Sequence, residues 1–418
     1  MKSSLLGQVE LVGIPNTNHS KRCNFARNLD SPMQLVKVDS AQLEKRWMDV
    51  PKYIYSDHAN YIPHLKQDIE KLFDASKNKL LRDGSCERWV MVKDGTDIGR
   101  IAAFVNVKYS KGMEQPTGGI GFFECPHDQE AANLMFDTAI EWLKEQGMEA
   151  VDGPINFGEK DRFWGLVVKN FEDIPSYAMN YNLPYYEELF NNYGWNLYFK
   201  QFVYKRDLYV PAQEVFVRKY ERIKNDPAYR FANIRGRSWD EVAQDFCTVY
   251  NNAWGGHHGF KKMPLAQAQR IMKSLKPVVD RDIIEFVYHN DKPIAFYVNI
   301  PELNEIFRFV NGDLNWIGKL KFLYHKWRKT PRIMVGIVFG VDRAYHGQGI
   351  EGAMIKWAEE NIVSLNRYDT TTLTWIGDFN PKMVHVAENL GAEVSRMLIT
   401  YRILFDPNKE YKRAPIVG

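Results

Sequence analysis

The stretch GVDRAYHGQGIEGAMIKWAEE, residues 340–360, decides the fold. An apolar strand runs into Gly347, Gly349 and Gly352 and continues directly into an amphipathic helix. Glycines let the backbone bend tightly and come close to a ligand, and a helix N-terminus offers unpaired N–H groups with a partial positive charge. That combination suits a pyrophosphate. The Gly-Lys-Ser/Thr of a P-loop is missing, and the surrounding order of elements is not that of a Rossmann unit. The alternative is a plain tight turn into a core helix.

Outward from this turn, the downstream pattern gives a helix over about 349–365, a strand over 370–376, a helix over 381–390 and a strand over 394–405. Upstream, IIEFVYHNDKPIAFYVNI is a hairpin around Asn290-Asp291, and 332–341 is a strand. The first half repeats the plan. ERWVMVKDG and DIGRIAAFVNVKY form a hairpin at Asp94-Gly95, followed by a strand over 119–125, a helix over about 128–146, a strand over 149–155, a helix over 185–193 and a strand over 198–209. Two copies of one α/β unit follow, spanning 36–210 and 228–410 after an extension at 1–35, with the link between Val210-Pro211 and Asp226-Pro227.

Composition narrows the class. Among 418 residues, 55 Lys plus Arg face 52 Asp plus Glu, and a net charge of +3 gives no global case for nucleic acid. Cys23, Cys86, Cys125 and Cys247 lie far apart with no CxxC pair, which reads as free thiols in a reducing compartment. Neither a signal peptide nor an apolar run of membrane-spanning length is evident, so a cytoplasmic placement is expected. Cys125-x-His127 has two potential ligands without nearby partners, and no metal is expected.

Tyr345 to Met354 resembles the acyl-CoA binding motif of the GCN5-related N-acyltransferases (GNAT), Gln/Arg-x-x-Gly-x-Gly/Ala. His346 stands for Gln/Arg, Gly349 matches, and Glu351 replaces the final small residue. NPKMVHVAENLGAE from Asn380 is similar to the family's following helix, with Ala387 at the position of a tyrosine that protonates the departing thiolate in many members. A narrower resemblance, to a bacterial tandem-domain subgroup that includes ceramide synthases acting on long-chain sphingoid bases, is carried by VDGPINFGEKDRFWGLVV, YNLPYYEELFNNYGW, YNNAWGGHHGF, IPELNEIFRFVNGDL and LTWIGDFNPKM. The resemblance implies two GNAT-like units in tandem, each a mixed, largely antiparallel sheet flanked by helices, with the first copy degenerate. It further implies a coenzyme A or acyl-CoA site made by Val338, Phe339, Gly340, Val341, His346, Gly347, Gln348, Gly349, Ile350 and Asn380.

The implied reaction is acyl transfer from coenzyme A to an amine, with a long-chain amine as the narrower expectation. It needs a base for the amine and a donor for the thioester carbonyl. Candidate bases are Asp378, otherwise a helix cap, and His257 and His258, otherwise solvated loop residues. Asn304 and Glu305 are a further polar pair, otherwise a turn and helix start. The aromatics of 181–195 read as core packing or as a lipid tunnel. WIGKLKFLYHKWRKTPR, 316–332, sets apolar residues at helical spacing among lysines and suits either an anionic bilayer surface, peripheral to the inner membrane, or a solvated helix. Two other readings stand beside the enzyme: a non-catalytic acyl-CoA sensor, and a transferase using aminoacyl-tRNA. Oligomeric state is left open.

Overall fold

A computed structural model of the chain describes residues 32–157, 159–255 and 261–417. His257 and His258, and most of the 1–35 extension, lie outside the described residues. In chain order the first half contains β1 (Gln34–Lys37), α1 (Ala41–Ile54), α2 (Lys66–Leu72), α3 (Lys79–Arg82), β2 (Ser85–Lys93), β3 (Thr96–Val105), α4 (Val107–Lys111), β4 (Thr117–Glu124), α5 (Gln129–Glu145), β5 (Ala150–Gly153), β6 (Leu166–Lys169), α6 (Tyr186–Tyr193) and β7 (Asn196–Asp207). The second half contains α7 (Glu214–Ile223), β8 (Tyr229–Asn233), α8 (Trp239–Trp254), α9 (Leu265–Leu275), β9 (Ile284–His289), β10 (Lys292–Pro301), α10 (Asn304–Phe307), α11 (Trp316–Trp327), β11 (Ile333–Val341), α12 (Ile350–Ser364), β12 (Thr370–Gly377), α13 (Pro381–Asn389) and β13 (Glu393–Leu404).

All the strands join one sheet in the order β1-β2-β3-β4-β5-β13-β7-β12-β11-β10-β9-β8, with β6 beside β13. Pairing is antiparallel except at β4/β5 and β11/β12. The last strand of each half has crossed over: β13 lies against β5 of the first half, β7 against β12 of the second, and the two pair with each other. The halves are therefore stitched through their own hydrogen-bond ladders, and Met33–Gly418 is one compact unit.

Helices cover both faces because each carries one apolar stripe. In α5, Ala132, Met135, Phe136, Ala139 and Leu143 are buried against β2, β3 and β4, and Tyr186, Phe190 and Trp195 complete that core, so the 181–195 aromatics pack the interior. In the second half α12 buries Ile350, Ala353, Met354, Ala358 and Ile362 on one face of the sheet, while α8 and α9 cover the other. The stretch read as a link carries α7, whose Phe216, Tyr220 and Ile223 recur at helical spacing and are buried. It packs along α12, with consequences for the turn at its head.

Candidate active site

β11 and β12 run parallel only from Ile333 opposite Thr370 to Gly336 opposite Leu373. Beyond that they part, because both are bent just there. The β10/β11 ladder slips register at Val298/Asn299, and the β12/β7 ladder slips between Leu373 and Ile376, where Trp375 adopts φ 60. From Val338 to Val341, β11 is paired to β10 on one edge and faces the gap with the other. Those free N–H groups are donors for a carbonyl placed in the gap. Gly340 lies under Trp254 of α8, whose ring is 2.9 Å from where a Cβ would sit. Asn252 of α8 donates to Asp342 (2.7 Å), and Arg343 donates to the Asn252 carbonyl (3.3 Å), which ties the strand end to that helix.

The turn follows. His346 Nε2 is 3.1 Å from the Val341 carbonyl and so braces the turn, and Tyr345 Oη is 2.9 Å from His289 Nδ1. Gly347 and Gly349 are both left-handed, at φ 77 and 87. Gly349 is the N-cap of α12 and has no side chain to satisfy the first N–H groups of that helix. Two basic side chains of α7 lie over it, Arg222 through its guanidinium and Lys219 through its methylene stem. A Cβ on Gly349 would come within 3.0 Å of Arg222 Nη2 and 3.2 Å of Lys219 Cγ, and Arg222 donates to the Gln348 carbonyl. Open N–H groups, a helix dipole and two cations form an anion cradle. Neither Lys219 nor Arg222 was singled out in the sequence reading, since they lie over 120 residues from the turn by chain position. Glu351 is half-buried at the second helical residue.

The equivalent places in the first half are filled. The Asp128 carboxylate caps α5, accepting from Glu130 N–H (3.0 Å) and Ala131 N–H (3.2 Å), so a side-chain anion occupies the position left open at α12. Between β4 and β5 the chain folds back: Ile155 N–H donates to the Ile120 carbonyl at 2.6 Å, and a Cβ on Gly121 would lie 1.8 Å from the Ile155 carbonyl oxygen. At the foot of that cleft Asp152, fully buried, takes both Nε (2.6 Å) and Nη2 (2.8 Å) of Arg402 and the Tyr109 hydroxyl (2.6 Å).

A cavity of about 80 Å³ lies on the sheet beside the paired start of β11 and β12, lined by Ile333, Thr372, Val203, Arg396, Met179 and Glu302 among others. Glu302 is 2% exposed. Its Oε1 accepts from Tyr177 N–H (2.8 Å) and Asn304 N–H (2.9 Å), while Oε2 has no hydrogen-bond partner among the described residues. Burial pushes its carboxyl up to about 7, against the hydrogen bonds that favour the charge. Trp375 packs on Met179 and Val203 of the same region, and its indole N–H is likewise buried with no partner among the described residues. Arg396 faces the cavity with its guanidinium held by the Asn170 and Asp173 carbonyls.

The remaining candidates are positioned as follows. Asn304 donates to the Pro175 carbonyl (2.8 Å), and Glu305 accepts from the N–H groups of Arg332 (2.9 Å) and Ile333 (2.8 Å), anchoring the start of β11. Asp378 accepts from Lys200 N–H (3.1 Å) and pairs with Arg413 of the C-terminal tail (2.5 Å). Asn380 caps α13 through Met383 N–H (3.3 Å). Ala387 is fully buried against Tyr204, Ile376 and Ala392, so this position presents no group to the cleft. Cys86, Cys125 and Cys247 are free thiols, and His127 lies stacked on Tyr185. Glu302 was present in the quoted IPELNEIF segment, but nothing in its spacing separates it from Glu305.

No protein-family model matches the chain. It is 24% identical over 386 residues to a protein of Caulobacter vibrioides (strain NA1000 / CB15N) named bacterial ceramide synthase, covering 90% of this chain and 97% of that one. It is 26% identical over 364 residues to Protein YghO of Escherichia coli (strain K12), covering 84% and 90%. Among solved structures, a tandem GNAT protein from the clavulanic acid biosynthesis pathway superposes with a TM-score of 0.50 at 10% identity, over 90% of this chain and 100% of that one. A GCN5-related glucosamine N-acetyltransferase region in a fungal multi-domain GH3 β-N-acetylglucosaminidase gives 0.52 at 14% identity, over 90% of this chain and 39% of that one. At these identities the structural likeness speaks to the fold.

Proposed function

We propose that this chain, a tandem GNAT fold, transfers an acyl group from coenzyme A to a primary amine and does so in its second half alone. The observation that carries the reading is the contrast between the two helix N-termini: Asp128 fills one, and the other is uncapped beneath Lys219 and Arg222. An anion belongs only at the second. The resemblance of the turn to the acyl-CoA motif then names the anion as the coenzyme A pyrophosphate, with Gly347, Gln348, Gly349 and Ile350 supplying the backbone.

In this reading the thioester lies in the gap between β11 and β12, its carbonyl facing the free N–H edge at Val338 to Val341. The amine enters from the cavity side, and its proton passes through the cavity to Glu302 Oε2 as nitrogen attacks the carbonyl carbon. The tetrahedral oxyanion is held by the strand N–H groups, then the C–S bond breaks, giving amide and the thiolate of coenzyme A. Asn304 and Glu305 act by position, holding the Glu302 loop to Pro175 and to the start of β11. Asp378, with both oxygens engaged, fixes the end of β12 against β7.

The name of the Caulobacter relative, which matches along nearly its whole length, supports a long-chain, sphingoid-type amine as the acceptor. The test is thiol release by the purified chain with a series of acyl-CoA donors, with and without a long-chain amine. Release that depends on the amine supports the reading. Thermal stabilisation by acyl-CoA with no amine-dependent release would make the chain an acyl-CoA sensor, the outcome that the buried Ala387 favours.

A further inference from the structure

Helix α11 carries its large side chains on the wrong side for a solvated surface helix. Trp316 is 71% exposed, Trp327 77%, and Ile317, Leu320, Leu323 and Tyr324 between 46% and 59%. They recur at helical spacing and form one continuous apolar face, while the opposite side rests on the protein through Gly318 and Phe322, the latter stacked on Phe307 of α10 at 5.7 Å. Isolated exposed apolar residues need no explanation, but a contiguous patch of six does.

Charge decides what covers it. From Leu314 to Arg332 there are six Lys or Arg and no Asp or Glu. Lys326 is occupied by the Pro277 carbonyl and Arg332 by Asp369, whereas Lys319, Lys321, Arg328 and Lys329 have no ion pair among the described residues. A second copy apposing the same face would bring like charges together. An aromatic and aliphatic face bordered by unpaired cations is instead complementary to an anionic bilayer, with Trp and Tyr at headgroup depth and the lysines against lipid phosphates. No helix among the described residues is long and apolar enough to cross a membrane.

We infer that α11 docks the protein on the surface of an anionic lipid bilayer, and that this places the Glu302 cavity beside the lipid. Phe322 packs on α10, which begins two residues after Glu302, so the docked helix and the cavity share one support. The second clause rests on the reading of Glu302 as the base for an amine acceptor; the first does not. An amine with a long chain would then be taken from the membrane, its head reaching the cavity.

The experiment is co-sedimentation of the full chain with vesicles of phosphatidylglycerol in phosphatidylcholine and with vesicles of phosphatidylcholine alone, at low and high salt. The expected result is binding to the anionic vesicles, weakened by salt, with a blue shift of tryptophan fluorescence. A Leu320→Glu/Leu323→Glu variant with an unchanged circular dichroism spectrum should lose about ten-fold or more of that binding. It should keep turnover of a short soluble amine while losing turnover of a vesicle-embedded one. Absence of vesicle binding, or binding by the variant equal to the parent, overturns the proposal. So does a dimer in solution that the same variant breaks up, since a second copy would then cover the face. Binding that persists in a chain inactive on every amine leaves the docking intact and removes the catalytic reading.

Discussion

At the scale of single residues, Glu302 sits in an environment far from that of a carboxylate in water. A carboxyl pushed up to about 7 is mostly protonated below that pH and becomes a base above it. Turnover should therefore rise with pH through about 7, and Glu302→Gln should lower kcat by roughly 10²- to 10⁴-fold, remove that rise and leave the affinity for acyl-CoA unchanged. A pH–rate profile alongside a binding isotherm separates this from a folding defect. Glu285 is a second such group: fully buried under α12, with one oxygen on Asn361 Nδ2 (2.9 Å) and the other without a partner among the described residues, it is pushed up to about 8 by burial. Between its ordinary value of 4.5 and about 8 the folded chain keeps a proton that the unfolded chain releases, so this group lowers stability as pH rises through that window. Glu285→Gln should flatten that decline, as followed by Tm against pH.

Among elements, α7 and α12 form the pair that matters. α7 lies in a stretch whose prolines and polar residues read as a link, yet its Phe216, Tyr220 and Ile223 are buried and its cations lean over the α12 N-terminus. Lys219→Ala with Arg222→Ala should weaken coenzyme A binding by about ten-fold and reduce its salt dependence, as measured by calorimetry at two ionic strengths. Gly349→Ala should cost about 1–2 kcal/mol in stability from the left-handed backbone alone, and more in binding, because the new methyl meets the Arg222 guanidinium and the methylene stem of Lys219. The remaining helices were legible where a stripe repeats every three or four residues, as in α5 and α12. The short α2, α3 and α4 were not, being too brief for any period to register, and the longer α1, α8 and α9 were not read either.

On the scale of the molecule, the crossing of β7 and β13 sets the behaviour. Each half lends its last strand to the other, and the crossing is locked by Arg402 of β13 on Asp152 of β5. Arg402→Met should cost about 3–5 kcal/mol, because Asp152 would be left charged, fully buried and without its cation. Chemical denaturation of the full chain should give a single transition rather than two. A fragment ending near residue 210 should fail to fold alone, since β5 would present a bare edge to water; recovery on co-expression with the remainder would confirm the exchange.

The sequence by itself determined most of the strands, though not the short β1, β6 and β8, and with them the two-copy order and the glycine turn, because periodicity and the demands of a left-handed turn are local. It also carried the amphipathic character of 316–332. The missing glycine pair marked the first copy as the degenerate one; what the sequence did not contain was how the difference is built, since that turns on Asp128 closing one helix end, Ile155 closing one cleft, and Lys219 and Arg222 arriving over the other turn. Nor did it separate Glu302 from Glu305, two carboxyls three residues apart. Each accepts from two backbone N–H groups, but only Glu302 is buried so completely that its second oxygen is left without a partner among the described residues. These are contacts between residues distant in the chain or differences in desolvation, and only the folded arrangement creates either.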